Sequence, residues 1–245
     1  MIVISSSYGN DSVALIQWAH ELALSDVTVT YCDTGWAAPQ WANRVIEGER
    51  LAKSYGFQTV RCKSMGMSDL IRMKKGWPRH GMQFCTAQLK GLPFLQWIDE
   101  VDKECKAVVL IGKRRAESIG RRETPEFIES SEYHGGRKIW HPLYAHSDEQ
   151  RNELLARAGF DVLPHRSLEC SPCVNANKAD LNLLSAGEIQ RVSDLEVEIG
   201  QPMFRAAKVN ALGIYGAVAW AKDGRNRGDI AEEESECASL FGCRT

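Results

Sequence analysis

No apolar run in this 245-residue chain approaches the ~20 residues that a bilayer core requires, so no membrane span is expected. Charge of one sign is lacking too. The 30 Lys and Arg against 32 Asp and Glu leave a net charge of −2, which gives no global attraction to nucleic acid or to an anionic surface. Eight cysteines are too sparse for a disulfide scaffold at this length, so in a reducing compartment they are read as core thiols, metal ligands or reactive thiols. The six histidines show no His-x-x-x-His spacing, and there is no internal repeat or low-complexity tract. The chain opens directly on a strand pattern, with no basic stretch ahead of an apolar one; no signal peptide is expected, and a cytoplasmic location is. The opening turn matches neither Gly-x-Gly-x-x-Gly nor Gly-x-x-x-x-Gly-Lys-Ser/Thr, which disfavours a Rossmann dinucleotide site and a Walker NTPase.

What is present suits one large domain, or one with a small appendage: 44% of residues are hydrophobic, enough for a sizeable core. Short apolar runs at Ile2–Ser5, Val27–Tyr31, Gln58–Arg61 and Ala107–Ile111 alternate with helical patterns at Ser12–Leu24, Pro39–Tyr55 and Pro93–Cys105. That alternation predicts an α/β fold with a doubly wound, mainly parallel sheet. The first helix is expected to bury Val13, Ile16, Trp18, Ala19 and Leu22 against the sheet. Residues 113–137 read as mostly loop, Lys138–His141 as one more strand. Capping boxes at Ser147/Gln150 and Ser185/Glu188 start further helices, and 209–222 is expected to be helical. The organisation expected is an α/β core over 1–145, a helical C-terminal portion over 146–222, and a polar tail over 223–245 that holds Cys237 and Cys243.

In an open parallel sheet, ligands sit beyond the C-terminal ends of the strands, so the loops there are expected to converge. One is Ser5 with Ser7-Tyr8-Gly9-Asn10-Asp11-Ser12, a small, hydroxyl-rich turn into a helix N-terminus, where backbone amides and the helix dipole suit phosphate. The bland alternative is a turn whose Asp11 and Ser12 merely cap the helix. A second loop is Asp33-Thr34-Gly35. The third runs from Gly112 through Arg114, Arg115, Glu117 and Ser118 to Arg121 and Arg122, and its guanidiniums can clamp phosphate or sulfate bidentately. Cys170-Ser171-Pro172-Cys173 is a knuckle that suits two thiolates on one metal centre or a redox dithiol. Cys32 and Cys105 read as core thiols, and His165 is a candidate site residue. Lys74-Lys75 with Trp77, Arg79 and His80 mixes basic and aromatic groups that could track a nucleic-acid backbone, or form a solvated loop with one anchoring Trp.

Several of these stretches resemble one family. Ser7–Ser12 resembles the pyrophosphatase loop of the adenine nucleotide α-hydrolase superfamily. Gly112-x-Arg114-x-x-Glu117-Ser118-x-x-Arg121, Asp33-Thr34-Gly35, Phe84-Cys85-Thr86 with Lys90 and Pro93, Pro142-Leu143 with Asp148, and Cys170-x-x-Cys173 resemble segments of the phosphoadenosine phosphosulfate (PAPS) reductase family, in its order. The resemblance implies an adenine nucleotide held by Ser5, Ser7–Ser12, Asp33–Gly35, Gly112, Arg114, Glu117, Ser118 and Arg121, with Asp11 toward Mg²⁺ and Arg114 and Arg121 in catalytic roles. It also implies a metal at Cys85, Cys170 and Cys173 with Cys243, Cys237 or Cys62 as the fourth ligand, or none: a 4Fe–4S cluster, with zinc as the competing metal. The first functional expectation is ATP-dependent, pyrophosphate-releasing sulfur activation or transfer to a nucleic acid or small molecule, with a thiol or sulfur-donor protein as partner. The second is sulfonucleotide reduction by Cys237 or Cys243, and the third a non-catalytic nucleotide- or cluster-binding subunit. Two departures bear on this: Asn10 stands where ATP-cleaving members often carry Lys, and Ser235-Glu236-Cys237-Ala238-Ser239-Leu240 only faintly echoes the reductase tail.

Overall fold

The computed structural model describes residues 1–79, 81–204 and 212–223. Its centre is a six-stranded sheet in the order β3-β2-β1-β4-β6-β5, formed by β1 (Ile2–Ser5), β2 (Val27–Asp33), β3 (Gln58–Lys63), β4 (Val108–Ile111), β5 (Phe127–Ser131) and β6 (Arg137–Trp140). All neighbouring strands run parallel except β5, which lies antiparallel on the outer edge of β6. The order reverses between β1 and β4, and that switch point opens a crevice at the strands' C-terminal ends.

Pleating sends successive residues to opposite faces, and β1 shows both uses. Ile4 points into a core with Val13, Leu15 and Ile16 of α1 (Asn10–Glu21), Trp41 and Val45 of α2 (Trp41–Ser54), and Leu154 and Leu155 of α6 (Asp148–Arg157). Val3 points the other way, into a core with Val109, Ile111 and Ile139 and with Phe94 and Ile98 of α5 (Leu92–Val101). A third cluster joins α3 (Met67–Lys74) to α7 (Lys178–Asn182), α8 (Ala186–Ile199) and α9 (Gly213–Lys222) through Leu70, Ile71, Leu181, Val192, Leu195 and Ile214. The helical C-terminal portion is therefore joined to α3, the helix that follows β3. Among the described residues no helix is long and apolar enough to cross a membrane.

Several expectations need correcting. The region 113–137, read as mostly loop, also holds the strand β5, which was not expected; its exposed edge carries no apolar alternation to betray a strand. The α1 helix ends at Glu21, leaving Leu22 53% exposed rather than buried. The third helix stops at Val101, so Cys105 falls in a turn at positive φ and is exposed, not a core thiol. It begins earlier than expected, running through α4 (Phe84–Thr86) and a π-helical turn at Ala87–Gly91. Such turns are rare and recur at functional sites. Trp77 is buried, donating its indole N–H to the Gln201 carbonyl, 2.9 Å away, and leaning on Trp36, so it anchors the loop rather than offering a base-stacking face. His80, residues 209–211 (expected to be helical), and the tail with Cys237 and Cys243 lie outside the described residues.

Candidate active site

At the switch point lies a cleft of about 390 Å³, within the range of small-molecule sites. Its floor is the turn from β1 into α1. Tyr8 N–H donates to Ser6 Oγ at 3.0 Å and Gly9 N–H to Ser7 Oγ at 3.3 Å, while Ser12 Oγ donates back to the Gly9 carbonyl. Gly9 is the N-cap, without a side-chain cap, so by helix geometry the amides of Asn10, Asp11 and Ser12 have no acceptor within the helix. These amides are what an anion would meet. Gly112, leaving β4, lies so close that a Cβ there would sit 2.8 Å from the Asp11 carbonyl oxygen. Only glycine lets the two loops touch.

The charged groups are arranged around Arg114, which is almost fully buried. Its Nε donates to Asp11 Oδ1, its Nη2 to Asp148 Oδ1 at 2.8 Å, and its Nη1 to the His146 carbonyl at 3.1 Å. Arg151 reaches Asp11 Oδ1 and Asp148 Oδ1, both at 3.5 Å. Arg121 is buried behind the cleft in an ion pair with Glu117, whose carboxylate also accepts the Arg114 N–H at 2.9 Å. Burial and the Asp11 charge push the Glu117 carboxyl up to about 7 against the pull of Arg121. The arginine loop is thus turned inward on carboxylates of its own chain: Arg114 and Arg121 brace the site, while Arg122 is exposed. The cleft lining holds three arginines (Arg114, Arg151, Arg166) and three aspartates (Asp11, Asp148, Asp180), with Glu117 balanced by Arg121. It carries no cationic surplus of its own.

The remaining wall comes from residues 163–167 and the start of α7. Asn10 pins it: Nδ2 donates to the Leu163 carbonyl at 2.9 Å, and the Leu163 N–H donates to Oδ1 at 3.0 Å. Sequence reasoning reached His165 here but not Leu163, Arg166 or Asp180. No regular element marks this strap, and the pairing between residues 10 and 163 is long-range.

The three loops do not all meet in this cleft. Ser5, Ser7, Gly9, Asn10, Asp11, Ser12, Gly112, Arg114 and Glu117 line it. The Tyr8 ring instead lies fully buried in the core, where a Cβ on Gly48 would come within 2.1 Å of it. Ser118 is buried behind the cleft. Asp33–Gly35 forms a turn in which Asp33 Oδ1 accepts the Gly35 N–H at 2.9 Å, and its buried Thr34 faces a second cavity.

That second cavity, about 20 Å³, is lined by Thr34, Met67, Leu89, Lys90 and the thiol-bearing Cys85, Cys170 and Cys173. The knuckle is fixed from outside. Trp36 Nε1 donates to the Pro172 carbonyl at 3.0 Å, Arg191 Nη2 donates to the Ser171 carbonyl at 2.7 Å, and the Arg191 guanidinium stacks 4.0 Å over the Trp36 ring. Soft thiolates in an apolar lining are the donor chemistry that iron–sulfur centres and zinc take. The geometry does not follow. The space fits about one water, and among the described residues no group of three or more His, Cys, Asp or Glu is placed to hold an ion. Between the two cavities sits a buried ion pair, Lys90 with Glu169. It lines a small void with Ser5, Ser6, Ser7 and Cys32.

No individually curated protein sequence matches the chain. Among solved structures, a phosphoadenylyl-sulfate (PAPS) reductase from Candida auris in its phosphate complex aligns at TM-score 0.47 with 15% identity, covering 66% of this chain and 74% of its own. The U34-tRNA thiolase NcsA from Methanococcus maripaludis, solved with its 4Fe–4S cluster, aligns at TM-score 0.47 with 12% identity, covering 98% of this chain and 77% of its own. The model of the phosphoadenosine phosphosulfate reductase domain matches residues 1–169, more than half of the sequence, and the chain belongs to that family.

Proposed function

We propose that this chain is an adenine-nucleotide-dependent enzyme of sulfur chemistry that activates an acceptor with ATP. One observation carries the reading: the cleft and the thiol-lined cavity are neighbours, each sharing a wall with one small void between them. Ser5 and Ser7 line both the cleft and the void holding Lys90 and Glu169, and Lys90 also lines the cavity of Cys85, Cys170 and Cys173. Between a nucleotide whose phosphates rest on the amides of Asn10–Ser12 and the thiols lie that void and the Lys90–Glu169 pair lining it. In the proposed reaction an acceptor oxygen attacks the α-phosphorus, the bond to the β-phosphate oxygen breaks, and pyrophosphate leaves. The residues supply positioning and charge stabilisation. Because the cleft has no cationic surplus, a polyphosphate needs a divalent cation to enter, which favours Mg–ATP. Arg114 and Arg151 both contact the same oxygen of Asp11, fixing its carboxylate as the group to face that cation. The thiols are the donor type that a cluster takes, and one bound there would supply sulfur or electrons.

Sulfonucleotide reduction is the second reading, favoured by the absence of a loop lysine at Asn10. The deciding experiment is titration of Mg–ATP, PAPS and adenosine phosphosulfate into anaerobically purified protein, with iron and acid-labile sulfide assayed on the same sample. Preference for Mg–ATP with magnesium-dependent pyrophosphate release is expected. If iron is found, replacing Cys170 and Cys173 with Ser should remove it, and nucleotide affinity should stay within about twofold. Preference for a phosphosulfate would turn the assignment to a reductase, and binding of none would end the nucleotide reading.

A further inference from the structure

Of the three guanidiniums lining the cleft, two are fully committed to the protein. Every nitrogen of Arg114 has a partner, in Asp11, His146 and Asp148. Arg151 is likewise engaged: Nε donates to Asn152 at 2.7 Å while Nη1 and Nη2 face Asp11 and Asp148. Arg166 differs. Its Nε faces Asp180 Oδ2 at 3.1 Å and its Nη2 donates to the Asn175 carbonyl at 3.3 Å, but among the described residues no acceptor meets Nη1. Two of its three nitrogens hold the fork in place and the third is left over, on a side chain only 14% exposed. A guanidinium so oriented loses little further entropy on binding an oxyanion.

Arg166 belongs to the strap that Asn10 holds. The paired hydrogen bonds between Asn10 and Leu163 tie that strap to the first turn of α1, and a Cβ on Gly9 would come within 3.3 Å of Ser167. Arg166 therefore lines the same cleft as the loop amides, on a strap that the residue beginning the helix ties to them.

Resting on the nucleotide reading above, we propose that Arg166 is the phosphate-reading cation of this cleft and that Asn10 is its positioning residue. The ligand it reads is a polyphosphate chain. The phosphates then sit between the amides of α1 on one side and the Arg166 fork on the other, and positive charge comes from the strap rather than from the loop. A charge-assisted hydrogen bond of this kind is expected to be worth a factor of about 10 to 150 in affinity.

The test measures binding of Mg–ATP, of inorganic tripolyphosphate in the presence of Mg²⁺, and of adenosine to the full chain and to Arg166→Gln, Asn10→Ala and the double variant. Arg166→Gln is expected to weaken Mg–ATP and tripolyphosphate by about tenfold or more, leaving adenosine within twofold; equal loss for all three would mark a merely structural role. Asn10→Ala is expected to weaken tripolyphosphate too, and the double variant should be little worse than Arg166→Gln alone. Fully additive losses would sever Asn10 from Arg166 and overturn the positioning claim. On the unaltered protein, tripolyphosphate should slow phenylglyoxal modification of Arg166 several-fold, and an unchanged rate overturns the proposal even if the variants fail to fold. If the unaltered protein binds neither Mg–ATP nor tripolyphosphate, the nucleotide reading itself fails. If it binds both and Arg166→Gln changes nothing, only the assignment of Arg166 fails.

Discussion

Replacing Tyr8 by phenylalanine isolates one hydroxyl. Tyr8 stands inside the phosphate-type turn, yet its ring is fully buried and its hydroxyl has no hydrogen-bond partner among the described residues. Burial, with the Glu49 charge, pushes its ionisation far above the usual tyrosine value, so the group is a neutral, buried donor. A buried polar group left without a partner costs about 1–3 kcal/mol. Phenylalanine keeps the ring that fills the space against Gly48 and removes only that cost. The expected gain is about 1 kcal/mol, the low end because a hydroxyl is small and neutral. For a chain of this size that corresponds to a rise of roughly 2–4 °C in the unfolding midpoint. Nucleotide affinity should stay within twofold, since the ring is not in the cleft. Chemical and thermal unfolding, with Mg–ATP titration on the same preparations, measure both. A loss of 1 kcal/mol or more, or a tenfold drop in affinity, would show that the hydroxyl has a partner or a ligand and would refute the reasoning.

Gly112→Ala is expected to cost roughly 1–3 kcal/mol by overpacking and to weaken nucleotide binding, because the new Cβ would lie 2.8 Å from backbone that carries the loop amides; wild-type stability in denaturant titration would count against the close approach. Acid sensitivity follows from three buried groups. Burial lowers His134 and His141 from 6.5 to about 4 and raises Glu117 from 4.5 to about 7. Between pH 4.5 and 6.5 the unfolded chain gains two protons on the histidines that the folded chain refuses, while the folded chain holds one on Glu117 that the unfolded chain releases. The histidines win by one proton, so these groups together make stability rise with pH by about 1.4 kcal/mol per unit across that window. Glu117→Gln should steepen the slope, and unfolding measured at several pH values checks both signs.

How much was legible in the sequence depended on range. β1, β2 and β4 are short apolar runs flanked by turn residues, and such local signals gave the parallel sheet. β5 escaped because Phe127–Ser131 is a mostly exposed antiparallel edge, where no burial pattern is imposed. The loops that chemistry requires were visible as motifs, but the direction of their side chains was not. Arg114 and Arg121 look like anion clamps until Asp11, Asp148 and Glu117 are seen beside them, and those partners come from other elements or an irregular turn. Thr34 was assigned to the nucleotide, yet its hydroxyl donates to the Glu169 carbonyl at 2.9 Å beside the thiol cavity. Asn10 read as a missing lysine. Its amide has a backbone partner 153 residues away, which no local pattern encodes.

The strap from Leu163 to Cys173 has one further consequence. It walls the cleft at its start, carries Glu169 of the buried pair in its middle, and ends in the thiols of the second cavity. Backbone bonds from Ala38 to Leu168 and from Ser171 to Trp36, at 2.9 and 2.8 Å, stitch it to the loop after β2, so one tethered segment borders both cavities. Occupancy of one cavity and occupancy of the other are then linked functions. By whatever factor a molecule in the cleft changes the affinity of the thiols for their ligand, that ligand changes the affinity of the cleft by the same factor. An alkylating or metal-binding probe at the cysteines would therefore report on nucleotide, and nucleotide on the probe, with no domain rotation between them.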